Sequence, residues 1–208
     1  MIGIIDLGFS NVNSVEKAVA FLGYTSNRIQ FVEDFCNTQN FSKVIFPGVG
    51  SFKNASESLR SSAIDKCIVN YVMNGGHFLG ICLGMQLLFD WGFEGGKTEG
   101  LGLIKGDVKE ITPNSSNEKV PHNGWNEVHW SSNENALRSG LLDGKDFYFN
   151  HSYSVHTEEE YVLAKTPYGA NGIISVVKKF NIYGTQFHPE KSQSAGLKIL
   201  KNFIEMYD

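Results

Sequence analysis

Phe78-Leu79-Gly80-Ile81-Cys82-Leu83-Gly84-Met85-Gln86-Leu87-Leu88 decides the fold of this chain: an apolar run ends in Gly-x-Cys-x-Gly and continues with helical spacing. A cysteine between two glycines at a strand-to-helix junction has the mechanics of a nucleophile elbow. The glycines permit a sharp turn, and the reactive side chain is held above the end of a sheet. The stretch predicts a strand over residues 78–81, Cys82 as candidate nucleophile, and a following helix whose N-terminal amides favour thiolate over thiol. A lone cysteine is more often a small buried hydrophobe. What lifts Cys82 above that reading is the pair Gly80 and Gly84.

Upstream, strand and helix patterns alternate. Residues 2–6 read as a buried strand, and Asp6-Leu7-Gly8-Phe9-Ser10-Asn11 is turn chemistry. Val15, Ala18, Val19 and Leu22 then mark a helix face closed by Gly23. Residues 24–29 predict a second strand and 43–46 a third, stopped by Pro47. Pro47-Gly48-Val49-Gly50-Ser51 follows at that strand's C-terminal edge, where ligands bind in open α/β sheets. The loop has neither the Lys-Ser/Thr of a phosphate loop nor the third glycine of a dinucleotide fingerprint. Ile64, Cys67, Ile68, Tyr71 and Val72 form another helix face, with Cys67 in the core and Gly75-Gly76 at its end. Such alternation predicts a parallel, doubly wound α/β sheet.

Downstream, the glycine-rich residues 92–102 read as a surface loop. Strand-like segments follow at 103–111, 126–130, 147–155 and 161–165, with a hairpin 173–177/182–187, so the C-terminal half shifts towards antiparallel pairing. Asn114-Ser115-Ser116-Asn117 is read as a loop rather than a linker, leaving one domain over residues 1–208. A last helix over 194–206 carries Ile199, Leu200, Phe203 and Ile204 on one face. Just before it, Phe187-His188-Pro189-Glu190 places a histidine two residues from a carboxylate, on one face of an extended chain. A histidine oriented by a carboxylate is how a general base for a cysteine is built. A structural His beside a surface Glu is the other reading, and spacing alone does not bring His188 to Cys82.

Composition narrows the classes. The 208 residues carry a net charge of −4 and a pI near 5.9, with no Lys/Arg cluster, which disfavours nucleic acid as partner. Cys36, Cys67 and Cys82 form no C-x-x-C pair, which suits a reducing compartment and argues against a disulfide framework or a thiolate metal site. The N-terminus lacks the features of a signal peptide and no apolar run approaches a spanning helix, so a cytoplasmic chain without a membrane partner is expected. No motif for a cofactor or metal is present.

Three motifs in order, Pro47-Gly48-Val49-Gly50, Gly80-Ile81-Cys82-Leu83-Gly84-Met85-Gln86 and Gln186-Phe187-His188-Pro189-Glu190, resemble the class I (triad) glutamine amidotransferases. Pro121-His122-Asn123-Gly124-Trp125-Asn126 and Phe149-Asn150-His151-Ser152-Tyr153 resemble, within that class, the glutaminase subunits of imidazole glycerol phosphate synthases. The resemblance implies a flavodoxin-like fold and hydrolysis of L-glutamine to glutamate and ammonia. It implies Cys82 as nucleophile, His188 as acid/base and Glu190 as its orienting carboxylate. It further implies oxyanion amides at Val49 and Leu83, and substrate contacts at Gly48, Gly50, Gln86, His151, Ser152 and Tyr153. Trp125 and Asn126 correspond to the interface with a (β/α)8 cyclase subunit that uses the ammonia to make imidazole glycerol phosphate and AICAR in histidine biosynthesis, and no cofactor is implied. A first loop reading Asp6-Leu7-Gly8-Phe9-Ser10-Asn11, where the family commonly has Asp-Tyr-Gly-x-Gly-Asn, leaves a paralogue serving a sugar-amidating enzyme of surface-polysaccharide synthesis as the alternative. A cysteine peptidase or chaperone of related architecture is a further one.

Overall fold

The computed structural model describes residues 1–8, 11–31, 33–34, 41–116, 118–131 and 135–206. Cys36, Phe9, Ser10 and Asn117 lie outside the described residues.

The N-terminal half follows its periodicities. Strand β1 (Ile2–Ile5) is buried throughout, and α1 (Val12–Phe21) turns Val12, Val15, Ala18 and Val19 inward. Gly23, at φ +87, ends that helix, with its N–H donating to the Ala20 carbonyl. Strands β2 (Ser26–Ile29) and β3 (Lys43–Gly48) flank β1 in parallel. The stop expected at Pro47 does not occur, since β3 runs on to Gly48. β1 pairs with β3 only as far as Ile45, so beyond that point one side of β3 carries no ladder and the proline's missing N–H leaves no partner there unsatisfied. Two helices, α2 (Phe52–Ser61) and α3 (Ile64–Met73), lead to β4 (His77–Cys82). Cys67 is partly buried against the core.

After Cys82 the chain departs from expectation. The elbow helix α4 (Leu83–Gln86) is a single turn, strand β5 (Phe89–Gly92) stands in place of its expected continuation, and the presumed loop over 92–102 contains β6 (Thr98–Glu99). The residues after α4 are captured by the returning chain: Leu101 N–H donates to the Leu87 carbonyl, and Leu103 and Ile104 N–H both donate to that of Leu88. Those bonds replace the helical ones, and a helix dipole built over several turns is not available to Cys82.

Next come β7 (Ile104–Glu110), β8 (His122–Trp130), β9 (Lys145–His151) and β10 (Tyr153–Thr157). The single strand expected over 147–155 is thus two, and they belong to different sheets with Ser152 at the corner. β11 (Val162–Thr166), β12 (Ile173–Lys179), β13 (Ile182–Thr185) and α5 (Gln193–Glu205) complete the chain.

Among the described residues, one sheet has nine strands in the order β2-β1-β3-β4-β13-β12-β11-β8-β9, and a second has four in the order β10-β7-β5-β6. The first five neighbours are parallel and follow the 2-1-3-4-5 order of the flavodoxin-like fold, whereas β12 onward pair antiparallel. One face of the large sheet packs against α1 and α5, with Ile199, Leu200, Phe203 and Ile204 docked as the helix pattern requires. The other face is covered by α2, α3 and the small sheet. Parallel pairing of β13 with β4, in the register Thr185 opposite Ile81, matters most for function. It sets the residues that follow both strands side by side. No helix among the described residues is long and apolar enough to cross a membrane.

Candidate active site

The elbow depends on close packing. A Cβ on Gly84 would lie 1.9 Å from the Phe46 carbonyl oxygen, and one on Gly80 would lie 2.5 Å from that of Gly84. Gly48 is equally tight, with a Cβ meeting Leu83 Cβ at 2.9 Å and the Gly84 nitrogen at 3.0 Å. The three glycines therefore let β3, β4 and the turn after Cys82 meet backbone to backbone. Cys82 itself sits at φ 55, ψ −109, a conformation that costs a non-glycine residue energy and persists only where its surroundings enforce it.

A cavity of about 450 Å³ opens in front of this turn. Val49, Gly50, Cys82, Leu83, Gln86, His151, Ser152 and Tyr153 line it. Gly48 does not line it; its place is behind the turn, where only a glycine fits.

His188 follows β13 and reaches Cys82 through the register of that strand with β4. Its Nδ1–H donates to Glu190 Oε1 at 2.8 Å, and the Cys82 sulfur hydrogen-bonds to the same imidazole. Burial works against a charged ring, but the Cys82 sulfur and the Glu190 carboxylate outweigh it and hold the His188 pKa up to about 10. An imidazolium facing a sulfur is the resting state of an activated cysteine. The Glu190 side chain is fully buried, and Asn11 Nδ2 also donates to Oε1 at 3.4 Å. Residues 189–191 form a 3-10 turn, not the extended chain assumed from the spacing, and the turn is what brings the carboxylate back onto the ring. Bonds to β9 hold the segment: His188 N–H donates to the Tyr148 carbonyl, and Ser192 Oγ bridges Tyr148 N–H and the His188 carbonyl.

The histidine of the pocket wall behaves differently. His151 Nδ1 lies 2.8 Å from the Tyr153 carbonyl, which can only accept, so the proton is on Nδ1. Its Nε2 then accepts from His122 Nδ1 at 3.1 Å, and His122 Nε2 in turn accepts from Asn126 Nδ2 at 3.4 Å. Burial pushes His122 down to about 4 and His151 down to about 3, so both rings are neutral near pH 7. With both ring nitrogens engaged, His151 offers a ligand its backbone and ring face.

Two residues escaped the sequence reading. Glu94 lines the cavity, and its Oε2 accepts the Phe52 N–H at the start of α2 at 2.7 Å. It comes from the turn between β5 and β6, which looked like featureless glycine-rich loop. Gln186, at the head of the Gln-Phe-His-Pro-Glu motif, is completely buried, and its Nε2 lies 3.6 Å from Cys82 Sγ.

Trp125 and Asn126 point to opposite faces of β8. Trp125 is 47% exposed and meets Tyr148 edge to face, whereas Asn126 is half-buried and tied to His122. Among the described residues no group of three or more His, Cys, Asp or Glu side chains could hold a metal ion.

A cysteine on a strained elbow, a histidine and carboxylate delivered by the adjacent strand, and a glycine loop beside them thus meet at one cavity. The chain belongs to the class-I glutamine amidotransferase family, whose model matches residues 3–206. More narrowly, it is 45% identical to the imidazole glycerol phosphate synthase subunit HisH of Caldanaerobacter subterraneus subsp. tengcongensis, over 99% of this chain and 98% of that one. It is 43% identical to the protein of the same name from a Geobacillus species, over 100% and 98%. In fold it resembles PurLQS from Thermotoga maritima, with a TM-score of 0.74 at 18% identity over 98% of this chain and 96% of that one. A crystal structure described as a glutamine amidotransferase gives the same TM-score at 17% identity, over 98% and 97%.

Proposed function

We propose that this chain is the glutaminase subunit of an imidazole glycerol phosphate synthase, working as one domain that hydrolyses L-glutamine and passes the ammonia to a (β/α)8 cyclase subunit. The observation that carries the chemistry is the 2.8 Å bond from His188 to Glu190 with Cys82 hydrogen-bonded to the same ring, at the edge of an open cavity. The Cys82 thiolate attacks the side-chain amide carbon of glutamine, and the oxygen of the tetrahedral intermediate is held by the Val49 and Leu83 amides. His188, already protonated, gives its proton to the departing ammonia, then takes one from the water that cleaves the thioester. Glu190 keeps Nδ1 protonated, so that Nε2 does both transfers.

Charge supports the choice of substrate. Glu94 is the carboxylate in the lining, and with Oε2 engaged by Phe52 its other oxygen is the group to meet the α-ammonium of glutamine. Gln86 gives its NH2 group to the Tyr153 carbonyl, which leaves its own carbonyl oxygen for the ligand. Identity of more than 40% to subunits of one synthase over the whole chain supports the choice of partner.

The test is glutamate release by the chain mixed with a cyclase subunit and its acceptor nucleotide. Cys82→Ala is expected to remove activity while the complex still forms, because one buried sulfur is replaced by a hydrogen with little loss of packing. A glutamine-like electrophile should label Cys82 and leave Cys67 untouched. Glutamate release by Cys82→Ala at the native rate would overturn the mechanism; glutaminase activity coupled only to a sugar-amidating enzyme would reassign the partner, and peptide cleavage in place of glutamate release would reassign the reaction.

A further inference from the structure

The hydrogen bonds around Gln186 leave its amide one orientation. The Tyr153 carbonyl can only accept, so the Gln86 atom 2.9 Å from it is the nitrogen. That same nitrogen lies 3.1 Å from the Gln186 side-chain amide, which must therefore present its oxygen. The other end of the Gln186 amide, facing Cys82 Sγ at 3.6 Å, is then its NH2 group. For a sulfur acceptor, with its larger radius, this is a hydrogen-bonding distance. A flipped Gln186 would set its oxygen against the sulfur and two NH2 groups against each other. The Tyr153 carbonyl, fixed a second time by His151 Nδ1–H at 2.8 Å, is the origin of the whole chain of orientations.

We propose that Gln186 is a further catalytic residue: its amide N–H donates to the Cys82 sulfur and favours the thiolate, with Gln86 and the Tyr153 carbonyl fixing the direction of that donor. A donor aimed at an ionisable sulfur stabilises its anion and does nothing comparable for the thiol. Gln186 has no exposed surface, so water does not supply the same bond when the amide is removed. The donor also compensates for the short α4, whose single turn adds little field at its N-terminus. The charged and titratable groups around the sulfur are His188, with Glu190 behind it, from the segment after β13, and Glu94, the neutral His151 and Tyr153 in the lining of the same cavity. Gln186 is the neutral donor on the same segment as His188. The inference rests on Cys82 acting as the nucleophile.

The experiment follows thiolate absorbance against pH, taken as the difference from Cys82→Ala, together with the rate of Cys82 alkylation by iodoacetamide, which needs no glutamine site. Gln186→Met keeps the length of the side chain and removes the donor. Its thiolate titration is expected to move to higher pH by about one unit, the equivalent of ~1.4 kcal/mol, with alkylation about tenfold slower at pH values below that titration. Gln186→Glu, isosteric but without the donor, should move further in the same direction. Gln86→Glu, which cannot donate to both Tyr153 and Gln186, releases the orientation and should move it less. Should Gln186→Met fail to fold, the two isosteric carboxylate variants carry the test. A titration that stays at its native position in the folded variants would sink the proposal. Failure of the glutaminase reading looks different: the native complex releases no glutamate from glutamine, whatever the titrations show.

Discussion

At the scale of single residues, the site is a set of groups whose protonation is decided by what surrounds them. His188 is charged because a sulfur and a carboxylate face it across a buried space, while His122 and His151 stay neutral because burial acts on them without such a partner. The raised His188 pKa has a sign that can be tested. Its charged form contributes stability that is complete below the unfolded value near 6.5 and is lost as pH rises through about 10. Glu190→Gln removes one of the two favourable partners, so the alkaline loss of thermal stability should begin at lower pH than in the native protein. The same substitution should slow glutamine turnover on the order of 10³-fold with a smaller change in KM, since Glu190 acts through His188 and touches no substrate. An alkaline melting profile identical to the native one would contradict this account of the histidine's charge.

At the scale of elements, the nucleophile's position is a packing result. β3, β4 and α4 approach so closely that the Gly84 Cα stands against the Phe46 carbonyl. Gly84→Ala has no flexible side chain to push aside, so the backbone of β3 or of the elbow must move. The expected loss is about 3 kcal/mol of stability in denaturant titrations, at the upper end for overpacking, with glutaminase activity falling further than stability alone accounts for. A stable, fully active Gly84→Ala would show the junction to be looser than these contacts. The Gly-x-Cys-x-Gly spacing announced this element in the sequence, because a sharp turn needs glycine wherever it is made. The length of α4 was not legible. Its termination comes from hydrogen bonds to residues 101–104, whose location no local pattern encodes.

At the scale of the whole molecule, His188 is bonded to Tyr148 of β9, whose partner across the ladder on β8 is Trp125. Trp125, exposed and braced against Tyr148, is a rigid aromatic anchor of the kind that dominates interfaces. Trp125→Ala should weaken binding of the cyclase subunit by about 2 kcal/mol, roughly thirtyfold in Kd, in a titration followed by calorimetry. The isolated chain is expected to be nearly inactive, and glutamate release to rise on the order of 10²- to 10³-fold when the partner binds its own ligand. That is the value of one oxyanion donor, and Gly50, at φ +102, gives the loop carrying the Val49 amide the freedom to turn. A partner produces this effect only by binding one loop state more tightly than the other. Full activity in the chain alone would remove the switch and leave a constitutive hydrolase.

By itself the sequence determined the features that depend on near neighbours: the apolar strands of the parallel half, the α1, α3 and α5 faces, the elbow, and the His-x-Glu pair. These rest on periodicity and on glycine, and each is readable in a window of a few residues. It placed Ser152 inside a strand and missed Glu94, because one is a corner between two sheets and the other lies in a turn without periodicity. Only the tertiary structure decided that His188 and Gln186 face Cys82. That meeting follows from β13 lying parallel beside β4 in a particular register, a long-range pairing whose stabilisation comes from burying both strands at once.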